Sequence, residues 1–343
     1  MTAGRRSLSA PDDELIARIA AALKTDESFV EKDWHAVRAL AAVSSIQLEN
    51  VLPVFSGGTS LSKGFDLIKR FSEDIDFKVG ITAPTKNAAR NIGRDYREAV
   101  LAALTGIGFK ILGEPMVGNE GRFLRINFDY GATRKVTSAL REGLQLEITF
   151  EASKRDPIPR PVSSQVAQAR REAPEVAALL CVDPLETAAD KLSALAWRTH
   201  ARDRSDVKDD PTIVRHLHDL ALLRSQAEGS PAFAELAAVN LEADASRAKT
   251  PGMTGMVLLR AMLPRIGSDK LWREEYERFV AQVSYAPAGE EMTFEGAVEA
   301  CQGLVDFVCQ RDRENAAAEL KDRTGAPSLG GLNIKDMIED GRR

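Results

Sequence analysis

Two aspartates and two glycines have the residue types and spacing best suited to chemistry in this sequence. Asp74 and Asp76 stand two apart in Glu73-Asp74-Ile75-Asp76-Phe77-Lys78-Val79, where polar and apolar residues alternate as in a strand with one buried face. Same-face positions on a strand lie roughly 6.5–7 Å apart at the backbone. Carboxylates so placed can reach a pair of metal ions roughly 3.5–4 Å apart, which offset polyphosphate charge and activate an attacking hydroxyl. Mg2+ or Mn2+ suits such oxygen ligands. Glu73 points to the opposite face and is assigned to solvent or a salt bridge.

The glycines lie upstream, where the apolar run Val51-Leu52-Pro53-Val54-Phe55 ends in Ser56-Gly57-Gly58. This reads as a buried strand running into a tight turn. A helix is expected from the turn to about Arg70, capped by Thr59 or Ser60. Its first unpaired N–H groups suit phosphate oxygens. The hydroxyls of Ser56, Thr59 and Ser60 add donors, and Lys63 supplies a point charge. The Walker pattern fails, because position 64 is Gly and no glycine precedes Lys63. A helix of about 12 residues spans about 18 Å and could carry the chain back, so that cradle and carboxylates converge.

Around this segment, helices are expected over 11–24, 28–49 and 86–105, and strands over 108–113, 122–130 and 144–151. In Leu144-Gln145-Leu146-Glu147-Ile148-Thr149-Phe150 the apolar residues share one face and Glu147 takes the other. Spacing alone leaves Glu147 either a third site carboxylate or a half-exposed strand residue. Pro157, Pro159 and Pro161 mark the expected domain boundary, after which the pattern is helical. The division is a core over 1–157, a helical domain over 158–325 that closes the cleft, and a polar tail over 326–343.

The chain has 343 residues, 44% hydrophobic, with a net charge of −5. That is enough apolar material for two domains, and bulk charge does not announce a nucleic-acid partner. Cys181, Cys301 and Cys309 lack the spacing of a zinc site or disulfide framework. No apolar run is long enough for a membrane span, and a cytoplasmic location is expected. His216 and His218 fall on different faces of a helix and read as packing residues. The basic residues of 154–171 could meet RNA phosphates or belong to a solvated linker, whereas 198–210 mixes both signs and reads as a solvated loop. Trp197, Trp272 and Tyr276 have core spacing, although an exposed aromatic stacks well on a base.

The run Phe55-Ser56-Gly57-Gly58-Thr59-Ser60-Leu61-Ser62-Lys63-Gly64, with Arg70-Phe71-Ser72-Glu73-Asp74-Ile75-Asp76-Phe77, resembles the AbiEii/AbiGii nucleotidyltransferase toxin family, to which the MenT toxins belong. The resemblance extends to Glu31-Lys32-Asp33-Trp34, to Glu147, to the helix carrying Asp190-Lys191-Leu192-Ser193-Ala194-Leu195, and to Arg215-His216-Leu217-His218-Asp219-Leu220. In the last, His216 stands at the family's first aspartate, so the site role carries onto Asp219 only. The resemblance covers roughly residues 30–225.

It implies an α/β (α+β) fold with a polymerase-beta-type core on a mixed sheet, followed by a mostly helical domain. Asp74 and Asp76 would hold the metal, with Lys191 and Asp219 lining the site near the nucleotide. The implied activity is transfer of a nucleoside monophosphate from an NTP to RNA, the tRNA 3′ end above all. The implied partner is a cognate antitoxin from a separate chain, as in type IV-like systems. Read from the residues alone, Lys191 could merely snorkel from an apolar face, and Asp219 could pair with Arg215 four residues earlier. Transfer to a protein or small-molecule hydroxyl, or a non-catalytic nucleotide-binding module, are the competing functions.

Overall fold

The computed structural model describes residues 10–135, 141–207, 209–287 and 289–323, so the expected tail lies outside the described residues. Two helices, α1 (Asp13–Leu23) and α2 (Glu27–Ser44), lead into β1 (Val51–Ser56) and the short α3 (Gly57–Lys63). Then come β2 (Asp74–Ile81), α4 (Lys86–Gly106), β3 (Lys110–Gly118), β4 (Phe123–Asp129) and β5 (Leu144–Thr149). The proline stretch itself forms β6 (Ile158–Val162), which contains Pro159 and Pro161, and α5 (Gln165–Arg170) and β7 (Val176–Cys181) follow. Six longer helices follow: α6 (Pro184–Ala201), α7 (Val214–Ala227), α8 (Pro231–Asp244), α9 (Gly255–Ser268), α10 (Lys270–Val283) and α11 (Phe294–Arg323).

The strands form one mixed sheet in the order β3-β4-β5-β2-β1-β7-β6. β2 runs antiparallel to β1 and parallel to β5. The expectation of an almost wholly helical pattern from the proline stretch onward holds only after Cys181: β7 adds a parallel strand beside β1, and β6 pairs with β7. The sheet therefore runs to Cys181, and the helical half starts at Pro184. Arg160 explains part of the miss. It sits in a proline-rich stretch yet donates to the Gly64 carbonyl at 2.7 Å, a partner no local pattern announces.

One face of the sheet is apolar and packs on α2 and α4. Ile75, Phe77 and Val79 of β2 meet Val37 and Leu40 of α2 and Val100 and Leu104 of α4 in one buried cluster. Strand alternation puts Asp74, Asp76 and Lys78 on the opposite face. There α6 crosses, and Lys78 Nζ reaches Glu186 at 2.7 Å and Asp190 at 2.6 Å. Glu186, fully buried, also accepts from the backbone N–H groups of Lys154 and Arg155. A second apolar cluster fills the helical half, with Leu192, Leu220, Phe233, Leu259 and Trp272 among its members. The three cysteines are buried and free. Among the described residues no helix is long and apolar enough to cross a membrane.

The expected helix to Arg70 is also corrected. α3 stops at Lys63, and its N-cap is Ser56 rather than Thr59 or Ser60. Glycine is a poor helix former, and Gly57, Gly58 and Gly64 leave little to propagate. Tertiary pairing then takes the next stretch. Phe71 N–H bonds to the Val283 carbonyl at 2.9 Å, and Tyr285 N–H to the Lys69 carbonyl at 3.1 Å. The returning helix of the sequence reading is not needed. β1 and β2 are adjacent antiparallel strands, with Ser56 opposite Asp76.

α2 carries three buried charged residues in a row, each tied to a different distant segment. Glu31 accepts from Thr133 Oγ1 at 2.5 Å and from the N–H groups of Thr133 and Arg134. Lys32 pairs with Glu73 and donates to the Arg141 carbonyl at 2.6 Å. Asp33 pairs with Lys63 and accepts from Gln165 N–H at 2.8 Å.

Candidate active site

A cleft of about 940 Å³ lies between the polar face of the sheet and α6, α7 and α8. Its floor is set by register. Asp76 is the β-partner of Ser56 on one side and of Glu147 on the other, and Asp74 is the partner of Gln145. The glycine turn and three carboxylates are thereby fixed side by side.

Gly57 makes this fit possible. It has φ +75°, and a Cβ there would stand 2.1 Å from Asp76 Oδ2. At Gly58 a Cβ would meet the Arg70 guanidinium at 2.6 Å. Gly57→Ala is expected to lower thermal stability and reduce nucleotide transfer at least about 100-fold, since it adds left-handed strain and displaces a site carboxylate. Activity near that of the native protein in a folded Gly57→Ala variant would show that this close approach is unimportant.

The carboxylates differ in their surroundings. Asp74 receives Arg141 at 3.0 Å and Arg215 at 3.6 Å. Glu147 receives Arg125 at 2.8 Å and Gln145 at 2.6 Å. Asp76 has no ion-pair partner among the described residues, and its carboxyl is pushed up to about 8 by burial and by the negative charges of Asp74 and Glu147. An oxygen-rich spot in which burial and neighbouring carboxylates oppose ionisation of Asp76 is chemically suited to a hard divalent cation. Among the described residues no three acidic, histidine or cysteine side chains stand ready to hold an ion. A cation here would take Asp74 and Asp76, and substrate phosphate oxygens would complete its shell.

Lys191 and Asp219 come from the helical half. Asp219 is fully buried on α7 and accepts from Arg70 Nε and Nη2 and from Lys191 Nζ, all at 2.7 Å. Those cations hold its carboxyl well below the usual range despite burial. Burial pulls Lys191 down, and Asp219 opposes that. The alternative pairing of Asp219 with Arg215 is replaced by these bonds, and Arg215 turns to Asp74. Lys191 lines the cleft, whereas Asp219 stands behind it and ties the segment before β2 to α6 and α7.

Of the expected cradle residues, Ser56, Gly57 and Gly58 line the cleft. Thr59 and Ser60 are buried beneath the turn, and Thr59 Oγ1 donates to the Asp74 carbonyl at 2.5 Å. Lys63 is held by Asp33 in a separate small cavity, away from the cleft. Lys63→Met is therefore expected to cost stability, by leaving Asp33 buried and unpaired, with no change in KM for the nucleotide. A KM rise of about tenfold or more would put Lys63 back at the phosphate.

Arg70, Arg125, Arg141 and Gln145 are site neighbours to which the sequence pattern assigns no role. Arg125 and Gln145 were signalled by strand alternation, and Arg70 by its place in the quoted motif. Arg141 lies in a loop without periodic pattern. Several basic residues of 154–171 are engaged within the chain: Arg155 pairs with Asp183 at 2.6 Å, Arg160 donates to the Gly64 carbonyl, and Lys154 alone of the five lines the cleft, while Arg171 is exposed. The 198–210 stretch is solvated at Asp203 and from Ser205 to Val207, but two of its arginines are held within the fold. Arg202 is clamped by Asp209 and Glu275, and Arg204 by Asp269 and Glu275.

A family model described as "Nucleotidyl transferase AbiEii toxin, Type IV TA system" matches residues 38–300. A search of curated proteins finds no match. Among solved structures, MenT4, a nucleotidyltransferase toxin from Mycobacterium tuberculosis H37Rv, is similar at 18% identity with a TM-score of 0.46. The match covers 86% of this chain and 99% of that chain.

Proposed function

Because the chain belongs to the AbiEii family of nucleotidyl transferase toxins, we propose that it moves a nucleoside monophosphate from an NTP onto RNA, with the tRNA 3′ end as acceptor and translation as the process blocked. Nucleotidyl transfer, the NTP substrate and an antitoxin partner follow from the family. The acceptor and the use of Mg2+ or Mn2+ are our reading.

The observation that carries it is the register of β1 and β2, in which the Ser56-Gly57-Gly58 turn lies against Asp76 with no room for a side chain between them. A triphosphate in the turn would present its α-phosphorus to the carboxylate floor, where the acceptor hydroxyl would form the new P–O bond as the α–β bond breaks and pyrophosphate leaves. A divalent ion held by Asp74 and Asp76 would offset phosphate charge and ease deprotonation of the acceptor hydroxyl. Lys191, aimed by Asp219, would place a positive charge on the opposite wall, where negative charge builds in the transition state. Arg215 and Arg141, now on Asp74, line the same cleft and would be available to those phosphates. Glu147 would hold Arg125 and Gln145 in place beside the floor.

The test is incubation of the purified protein with each labelled NTP and total cellular RNA, with and without Mg2+. Label is expected in tRNA, at the 3′ terminus by mass analysis, and only with metal. Label in protein or small molecules with none in RNA would replace the acceptor. Nucleotide binding without transfer to any acceptor would favour the non-catalytic module.

A further inference from the structure

Trp272 and Tyr276 are core residues, 3% and 1% exposed, as their spacing suggests. Trp197 is not. It is half-buried and lines the cleft. It belongs to a stripe on α6, where Thr187, Asp190, Lys191, Ala194, Trp197 and Arg198 all face the cleft at helical spacing. Trp197 lies six residues beyond Lys191, about 9 Å further along the axis. Between them stands Ala194, whose small side chain leaves the groove open.

Buried polar atoms without a hydrogen-bond partner are rare in folded proteins. Among the described residues four of them sit on three cleft-lining residues at this end: Trp197 Nε1, Arg198 Nε and both ring nitrogens of His216. Burial and the neighbouring charges of Lys191, Arg215 and Arg198 keep His216 neutral, so its ring can both donate and accept. The Trp197 ring also has two guanidinium neighbours, Arg198 at 5.3 Å and Arg247 at 5.8 Å from its centroid.

We infer that this end of the cleft is the subsite for the nucleobase of the incoming NTP, with Trp197 as its stacking platform. The inference rests on the transferase reading above. With the triphosphate at Lys191 and the glycine turn, the ribose passes over Ala194 and the base reaches the indole. A planar heterocycle carrying donors and acceptors is the ligand class that both stacks on an indole and pairs with orphaned N–H and imidazole groups. Arg198 and Arg247 add cation–π attraction to the stack.

The experiment is equilibrium binding of a labelled, non-hydrolysable NTP to the full chain with Mg2+, with inorganic tripolyphosphate as the competitor that lacks a base. Trp197→Leu is expected to raise Kd for the NTP about tenfold or more, the scale of one base–aromatic stack, and to leave tripolyphosphate affinity unchanged. Trp197→Phe should retain most of the NTP affinity. Ala194→Leu should block the NTP and spare tripolyphosphate, which also reports that the variants are folded. In the native protein the nucleotide should quench tryptophan fluorescence, because Trp34 and Trp272 are buried away from the cleft. Native binding with Trp197→Leu equally tight overturns the subsite and leaves the transferase reading standing. No NTP binding by the native protein overturns both.

Discussion

Asp76→Asn is expected to give a protein that melts several degrees higher than the native one in EDTA and transfers nucleotide about 10³-fold more slowly or less. The two effects share one cause. The Asp76 carboxyl is pushed up to about 8 by burial and by Asp74 and Glu147. Its ionised form is therefore unfavourable in the folded chain and costs nothing unfolded. Native stability should fall as pH rises from about 4 to about 8 and bear the full cost above that range. The advantage of Asp76→Asn should thus be greatest above pH 8 and shrink as pH is lowered toward 4. Mg2+ should raise the melting temperature of the native protein by binding the folded state, and should do so far less for the variant. Equal melting curves for the two proteins at pH 9, or retained transfer by Asp76→Asn, would remove Asp76 from the centre of the site.

Asp219→Ala should lose activity with the opposite thermal signature. Its carboxylate accepts from Arg70 through two nitrogens and from Lys191 through a third, and its removal leaves two buried cations facing one another. Stripping one partner from such an arrangement costs about 3–5 kcal/mol. Urea denaturation should show that loss. Asp219→Leu combined with Arg70→Met and Lys191→Met should regain much of the stability, because the unpaired charges are gone, and none of the transfer. A loss under about 1 kcal/mol for Asp219→Ala would mean that the trio is not the clamp between sheet and helices.

The site was legible in the sequence where chemistry and spacing are local. Asp74 and Asp76 stand out by polarity on an alternating strand, spacing alone leaves Glu147 open between two readings, and the structure sets Asp76 and Glu147 in register. Gly57 and Gly58 declared a tight turn. Features decided by distant partners stayed hidden. Lys63 has the look of a phosphate ligand until Asp33, on an earlier helix, is seen to take it. Arg70 follows a segment that reads as helix, yet pairing with the chain after α10 unwinds that segment and turns the guanidinium toward Asp219. β6 and β7 are masked by prolines and short runs, because the partner that brings β7 into the sheet is the distant β1, with Phe55 opposite Cys181, and β6 joins the sheet only through β7. The helical half was read correctly as helical, because amphipathic spacing needs no long-range information.

The three charged residues at the centre of α2 bear on how much chain an active protein requires. The matched family segment begins at residue 38, after all three. Yet Glu31 holds the loop leaving β4, Lys32 holds Glu73 and the backbone at Arg141, and Asp33 holds the end of α3. Each of those segments adjoins a wall of the cleft. A version of this protein started at residue 38 would keep every residue assigned to nucleotide or metal and lose the fixings that aim them. The catalytic unit is therefore longer at its N-terminal side than the matched segment, and trimming to that boundary would yield a chain with the right residues and a slack site.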